Sequence, residues 1–264
     1  MKYVIVTGAY GGMGEKTVQL LKEKGYEVFA LDQKVKEKEE HVYPIQVDVT
    51  KIESVQNALK EIEKTTKEVT AIIHFAGVYM LNSLVEMSED DFKKIMDINL
   101  YGVYLINKTF LPLLNKGSRI IITTSELAVV DPLPFTGIYA MSKTALDRYA
   151  YSLRMELQLL GIHVSVIRAG AIETGMLGVS TQALDQFTEQ TKLYSCNAKR
   201  FHQIVDKVEA KCVSPTKIAE LVNKILKKKK PKFAYQINRN FLLKLFNILP
   251  TRMQFWAIRK VLKK

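Results

Sequence analysis

Short apolar runs alternate with helix-length amphipathic stretches from the first residues of this chain, and that alternation restricts its fold more than any other feature. KYVIVT (2–7) is a short apolar run leading into glycines, as a strand buried on both faces does. Residues 12–24 read as a helix with Met13, Thr17, Leu20 and Leu21 on one face, closed by Gly25. Further strands are expected at 26–32, 42–47, 69–77, 118–125, 162–170 and 231–237, with Pro44 marking an imperfect ladder in the third. Thr50 and Glu53 have the spacing of a capping box, ahead of a helix that turns Ile52, Val55, Leu59 and Ile62 inward. Ser88 and Asp91 predict the cap of a helix reaching about Leu114 and bending near Gly102. A further helix over 138–160 carries Leu146, Tyr149, Leu153, Leu157 and Leu160 at helical spacing, and 214–226 is another, with Pro215 at its first position. Strands separated by such helices pair in parallel through right-handed crossovers, so the expectation is an α/β chain with a doubly wound parallel sheet. Residues 1–237 make one domain, in which 171–212 lose the alternation and read as a helical insertion over the sheet's edge.

Apolar residues are 47% of the 264 and charged residues 25%, which is ample for a core and excludes disorder as the dominant state. Two cysteines, Cys196 and Cys212, cannot build a disulfide framework or a zinc cluster. With no leader-like opening and no run of about 18 to 20 apolar residues, the expected location is cytoplasmic. The net charge of +12 is concentrated at one end: Lys224–Lys264 holds 13 lysines and arginines and no acid, while the preceding 223 residues sum to −1. The near-neutral body argues against nucleic-acid binding. The tail, 238–264, interleaves Lys and Arg with Leu, Phe, Ile and the single Trp256, and Pro250 splits it into two short helical pieces. Phe255, Trp256, Ile258 and Leu262 can line one side. Two readings stand: an interfacial helix that makes the protein peripheral to an anionic membrane, or a flap packed on its own body or on another subunit.

Thr7-Gly8-Ala9-Tyr10-Gly11-Gly12-Met13-Gly14 follows a strand and opens a helix. In that context glycines let the backbone turn sharply and approach a pyrophosphate whose charge sits on the helix N-terminus. Asp32 ends the second strand, where a carboxylate can accept hydrogen bonds from adenosine ribose hydroxyls and repel a 2′-phosphate. Glu15 after the last glycine offers no base for that phosphate, and Lys34 follows an acid. The expected cofactor is NAD rather than NADP. Tyr139 and Lys143 lie four apart on one helix and share a face. An ammonium there favours the phenolate, so the expectation is a tyrosine with a lowered pKa, able to take a proton from an alcohol or give one to a ketone.

TGxxxGxG at 7–14, Asp48-Val49, Ala76-Gly77, NLYG at 99–102, Ser125 and Tyr139-Ala-Met-Ser-Lys143 stand in the order found in short-chain dehydrogenases/reductases, and the chain resembles that family closely over 2–174. The resemblance implies a Rossmann fold and a nicotinamide cofactor touched by Thr7, Gly8, Tyr10, Gly12, Met13, Gly14, Asp32, Asp48, Val49, Ala76, Gly77, Tyr139, Lys143, Gly170, Ile172 and Thr174. It implies a catalytic set of Asn99, Ser125, Tyr139 and Lys143. Ser125 would orient the substrate oxygen, with Thr124 as the fallback, and Asn99 would hold a water that links Lys143 to solvent. Two places depart from the family: His74-Phe75 stand before Ala76-Gly77, where it commonly has two asparagines, and Ala169-Gly170 replace Pro-Gly. His74 reads as a hydrogen-bonded structural residue rather than a base. Val78–Leu81, with Leu127, Val129, Val130, Leu133, Pro134 and Phe135 and then Met176, Leu177, Val179, Leu184, Phe187, Leu193 and Tyr194, offer apolar side chains with few charges among them, which suits a small lipophilic alcohol or ketone. The basic tail is similar to that of the branch holding retinol and hydroxysteroid dehydrogenases, so the candidate substrates are hydroxysteroids, bile acids and retinoids. The family also implies a homodimer or homotetramer formed through the two long helices. The alternative of another class is a catalytically idle NAD(H)-binding sensor or scaffold.

Overall fold

Central strands whose side chains are apolar on both faces need cover on both faces, and the chain supplies it. The computed structural model describes residues 1–173, 175–208 and 212–263, with the side chains of 175–181 and 206–208 set aside. Strands β1 (Lys2–Thr7), β2 (Tyr26–Asp32), β3 (Val42–Gln46), β4 (Val69–His74), β5 (Leu114–Ser125), β6 (His163–Ala169) and β7 (Ala234–Ile237) form one sheet in the order β3-β2-β1-β4-β5-β6-β7. Every pairing is parallel. Ile5, Phe29, Leu31, Ile72, Ile120 and Val164 face one core with helices α2 (Ile52–Glu63), α4 (Gly102–Phe110) and α5 (Gly137–Leu157). Val4, Val6, Val28, Ile73 and Ile121 face the other with α1 (Gly12–Glu23) and α8 (Thr216–Lys227). The strand order reverses direction between β1 and β4, so the connections after these two strands diverge and leave a crevice at their carboxyl ends.

Local contacts correct several expectations. Thr50 does not cap α2: its hydroxyl donates to Asp48 Oδ1 at 2.7 Å, and Lys51 stands at the cap position. Ile52 is 36% exposed, and Ala58 joins Val55 and Ile62 inside instead. Ser88 does cap α3 (Glu89–Met96), accepting from Asp91 N at 3.1 Å. The expected bend near Gly102 is a π-helical turn over Asp97–Tyr101, which separates α3 from α4. The fourth strand ends at His74, three residues early, because its partner run on β1 stops at Thr7. Leu160 is 60% exposed, since a 3-10 turn over 158–160 rotates it off the buried face of α5. Pro44, on the edge strand β3, pairs with Ala30 of β2, where a missing N–H costs least.

The insertion contains α6 (Gly175–Gln190) and α7 (Ser195–Val208). Glu86 ties it to the body, accepting from the Thr191 hydroxyl at 2.6 Å and from Lys192 N and Leu193 N at 2.8 and 2.9 Å. The tail folds as α9 (Phe241–Ile248) and α10 (Thr251–Leu262), broken at Pro250 as expected. Ile258 and Leu262 pack with Leu184, Phe187, Ala198 and Phe201. Gln254 Nε2 donates to Asp131 Oδ2 at 3.2 Å. Phe255 and Trp256 do not share that face: they are 69% and 65% exposed.

A largely buried ion pair joins β6 to α5. Arg168 grips Asp147 through Nε–Oδ1 at 2.9 Å and Nη2–Oδ2 at 2.8 Å, and Thr124 donates to the same carboxylate at 3.3 Å. Removing one partner leaves the other charge buried and unpaired, so Asp147→Ala should cost about 3–5 kcal/mol. Urea unfolding checks this, and Asp147→Ala combined with Arg168→Met should recover most of the loss.

Candidate active site

At the carboxyl end of β5 the alternation of side chains decides between two neighbouring hydroxyls. Thr124 turns to Asp147, whereas the Ser125 hydroxyl hydrogen-bonds the Tyr139 oxygen. Ser125 Oγ also accepts from Leu127 N at 3.1 Å, which orients it. Tyr139 and Lys143 stand one turn apart on α5, and the Lys143 ammonium lies 5.7 Å from the centre of the tyrosine ring. Lys143 Nζ donates to Thr123 O at 3.4 Å.

Asn99 projects from the π-helical turn and is fully buried. Its Oδ1 accepts from Val78 N at 2.8 Å, and its Nδ2 donates to Val78 O at 2.9 Å and to Ser142 Oγ at 3.0 Å. Both amide protons and one acceptor lone pair are therefore used inside the protein. The side chain is thus a clamp, with one lone pair to spare. A side chain at Gly77 would place its Cβ 3.1 Å from Asn99 Oδ1 and 3.4 Å from Lys143 Nζ, so only glycine leaves that junction open. Ser142, which escaped the sequence reading, donates in turn to Tyr139 O at 2.8 Å. Its signal was its place between Tyr139 and Lys143.

The electrostatics run opposite to the expected lowering of the tyrosine. Burial raises Tyr139 to about 12, and the Ser125 hydrogen bond lowers it less. Burial lowers Lys143 to about 8. Each group loses water that would solvate its charged form, and neither has an opposite charge beside it to compensate. Tyr139 is thus a protonated phenol across neutral pH. His74 is buried and donates from Nε2 to Asn107 Oδ1 at 2.9 Å, while Asn107 Nδ2 donates to Tyr149 Oη at 3.2 Å. Burial lowers His74 to about 4, which leaves a neutral, hydrogen-bonded imidazole away from the reacting groups.

The glycine loop closes against β4: Gly8 has φ of 66°, and a Cβ there would lie 2.5 Å from Ala76 N. Gly11 stands at the N-cap of α1 with no side-chain cap, so the first-turn N–H groups, Gly12 and Met13 among them, are open to a ligand. Thr7 Oγ1 is buried without a partner. Asp32 Oδ2 accepts from Tyr10 N at 3.0 Å, beside the same loop. Lys36, unnoticed in the sequence, lies over the Tyr10 ring and pairs with Glu15 at 2.5 Å. Asp48 Oδ1 is taken by Thr50, and Val49 is buried against Gly102. Ile172 is buried in the core and bridges to Val213. Gly170 has a reason the sequence did not suggest: a Cβ there would lie 1.9 Å from Asn238 O, where the tail crosses it. Thr174 lies outside the described residues.

Tyr79 packs tilted against Tyr139 at 4.8 Å between ring centres and lines a cavity of about 560 Å³ with Leu81 and Phe187, alongside the polar Glu86, Asp91, Gln186 and Thr191. Phe135 bridges Phe187 at 4.6 Å and Tyr194 at 5.4 Å, so aromatic rings connect the insertion to this wall.

A lysine pushed down from 10.5 to about 8 is charged in both folded and unfolded states below pH 8, where its burial cost is full. Between pH 8 and 10.5 the unfolded chain binds the extra proton, so the penalty fades as pH rises. Lys143→Met should therefore gain about 3 kcal/mol at pH 7, and the gain should vanish near pH 10.5. Denaturant unfolding of both proteins across that range measures it.

The family model for short chain dehydrogenase matches residues 2–185. A 3-ketodihydrosphingosine reductase of Bacteroides thetaiotaomicron is 28% identical over 260 residues, covering 97% of this chain and 96% of that protein. An estradiol 17-beta-dehydrogenase 2 of Mus musculus is 31% identical over 209 residues, covering 71% of this chain and 54% of that longer protein. A solved short chain dehydrogenase family protein from Francisella tularensis shares the fold at 23% identity, with a TM-score of 0.75 over 90% of this chain and 97% of that one. The parallel sheet, the glycine loop at its first crossover and the Ser-Tyr-Lys cluster at the strand ends accord with these matches, and the chain belongs to the short-chain dehydrogenase/reductase family, a family of oxidoreductases that bind a nicotinamide cofactor.

Proposed function

We propose that this protein interconverts a lipophilic secondary alcohol and its ketone with NAD(H), Tyr139 being the group that gives and takes the proton. The observation that carries the reading is the Tyr139 oxygen hydrogen-bonded to Ser125 at the mouth of the crevice, with the Lys143 ammonium 5.7 Å from its ring. A bound nicotinamide supplies the hydride donor or acceptor and, when oxidised, a positive charge. Ser125 Oγ–H orients the substrate oxygen. Tyr139 Oη–H donates its proton to that oxygen as negative charge develops there. Lys143, protonated below about pH 8, favours the phenolate left behind. A phenol raised to about 12 suits proton donation, and a relative matched over 97% of this chain is named a reductase, so ketone reduction is the favoured direction.

The open N–H groups of α1 suit a pyrophosphate, with Gly8, Gly12, Met13 and Gly14 around it, and the unpartnered Thr7 Oγ1 stands at the same strand end. Asp32 beside the loop supports NAD over NADP. Asp48, Val49, Ala76, Gly77, Gly170, Ile172 and Thr174 complete the cofactor-contacting set, with Val49 and Ile172 reaching it through backbone because their side chains are buried. Tyr79, which packs on Tyr139, joins Leu133, Phe135 and Phe187 in one apolar cluster, which supports a lipophilic substrate. Hydroxysteroids, bile acids, retinoids and long-chain keto compounds are the classes to screen. Assembly into a homodimer or homotetramer through α3, α4 and α5 is supported by Phe92, Tyr101, Tyr104, Tyr151 and Met155, all exposed on those helices and the π-helical turn between the first two.

Tyr139→Phe should lower kcat about 10²–10⁴-fold while NADH affinity, read by fluorescence titration, changes little. Retained turnover would remove Tyr139 from the mechanism. Asp32→Ala with Gln33→Arg should move the ratio of kcat/KM for NADH over NADPH toward NADPH by about tenfold or more, an unchanged ratio counting against the role given to Asp32.

A further inference from the structure

A helix at the end of a domain ordinarily turns its apolar side inward and its charges outward. The tail breaks that rule. Ile258, Leu262 and Gln254 already hold α10 on the body. Yet Phe241, Leu242, Ile248, Met253, Phe255 and Trp256 remain 50% to 70% exposed on α9 and α10. Among them stand the exposed cations Lys244, Arg252, Arg259, Lys260 and Lys263, with no acid anywhere after Glu220. No helix among the described residues is long and apolar enough to cross a membrane.

We propose that the outward face of α9 and α10 is a monotopic docking surface for an anionic phospholipid bilayer, with the aromatic and aliphatic side chains entering the headgroup boundary and the cations meeting lipid phosphates. Apolar area and same-sign charge on one surface suit that partner, because a bilayer offers acyl chains and negative headgroups together. A second copy of this chain suits it less: a two-fold interface would set cations against cations with no anion between them. Phe255 also lines a cleft of about 770 Å³ with Pro134, Phe135, Phe246 and Ile258, and Leu84 and Val85, 54% and 71% exposed, flank it. A docked bilayer would therefore abut the mouth of an apolar cleft one aromatic contact away from Phe187. Docking is independent of the catalytic reading and is tested without turnover.

The full-length protein is mixed with vesicles of phosphatidylcholine alone or with about one-third phosphatidylglycerol, and binding is followed by co-sedimentation and by the emission of Trp256, the only tryptophan. The expected result is a blue shift and an affinity about tenfold or more higher for the anionic vesicles, falling as salt is raised. Phe255→Ser with Trp256→Ser, and separately Lys244→Gln with Arg252→Gln and Lys260→Gln, should each lower that affinity about tenfold while circular dichroism is unchanged. The proposal is overturned if neither vesicle binds, or if both variants bind like the parent. It is equally overturned if Phe255→Ser with Trp256→Ser only dissociates an oligomer in light scattering, or if the face prefers a short nucleic-acid duplex to the vesicles.

Discussion

The geometry of the crevice depends on the clasp made by one buried side chain. The Asn99 amide clasps the Val78 peptide from both sides and reaches Ser142 on α5. It thereby joins the segment after β4, the π-helical turn and the helix that carries Tyr139 and Lys143. A buried amide with its partners made is cheap to keep and costly to break, since each lost bond leaves a desolvated polar group. The π turn is the local irregularity that makes the clasp reachable: an added residue in the helix re-aims Asn99 inward without disturbing α3 or α4.

Around that clasp, desolvation outweighs charge pairing. A phenol raised to about 12 and a lysine lowered to about 8 are both pushed toward their neutral forms by the same apolar surroundings. Such a site is electrostatically unfinished, and a positively charged or polar ligand changes the balance within it more than it would in water. The Asp147–Arg168 pair beneath is the contrast: there opposite charges meet in a bidentate grip.

Features set by short-range pattern were legible. The strands, the Ser88 cap, the break at Pro250 and the shared face of Tyr139 and Lys143 all follow from spacing of two, three or four residues. The misreadings have a common origin in competition between partners. Thr50 had the spacing of a cap, but the Asp48 carboxylate is a stronger acceptor two residues away. Phe255, Trp256, Ile258 and Leu262 were grouped by apolar type, but adjacent positions on a helix diverge by about 100° and only two of the four meet α7. At Gly170 the constraint that local spacing does not announce is the crossing chain, Asn238, 68 residues later.

Sequence alone determined the alternating pattern, hence the doubly wound sheet, and it named the tyrosine and lysine that share a helical face, because period and side-chain chemistry are local properties. Tertiary structure alone decided that Ser125 rather than Thr124 meets Tyr139, that the tyrosine is raised instead of lowered, and that the tail turns an apolar face outward. Each of those outcomes depends on which distant atoms exclude water or donate a proton at a given point, and that is settled only when the strands, α5 and the tail have packed.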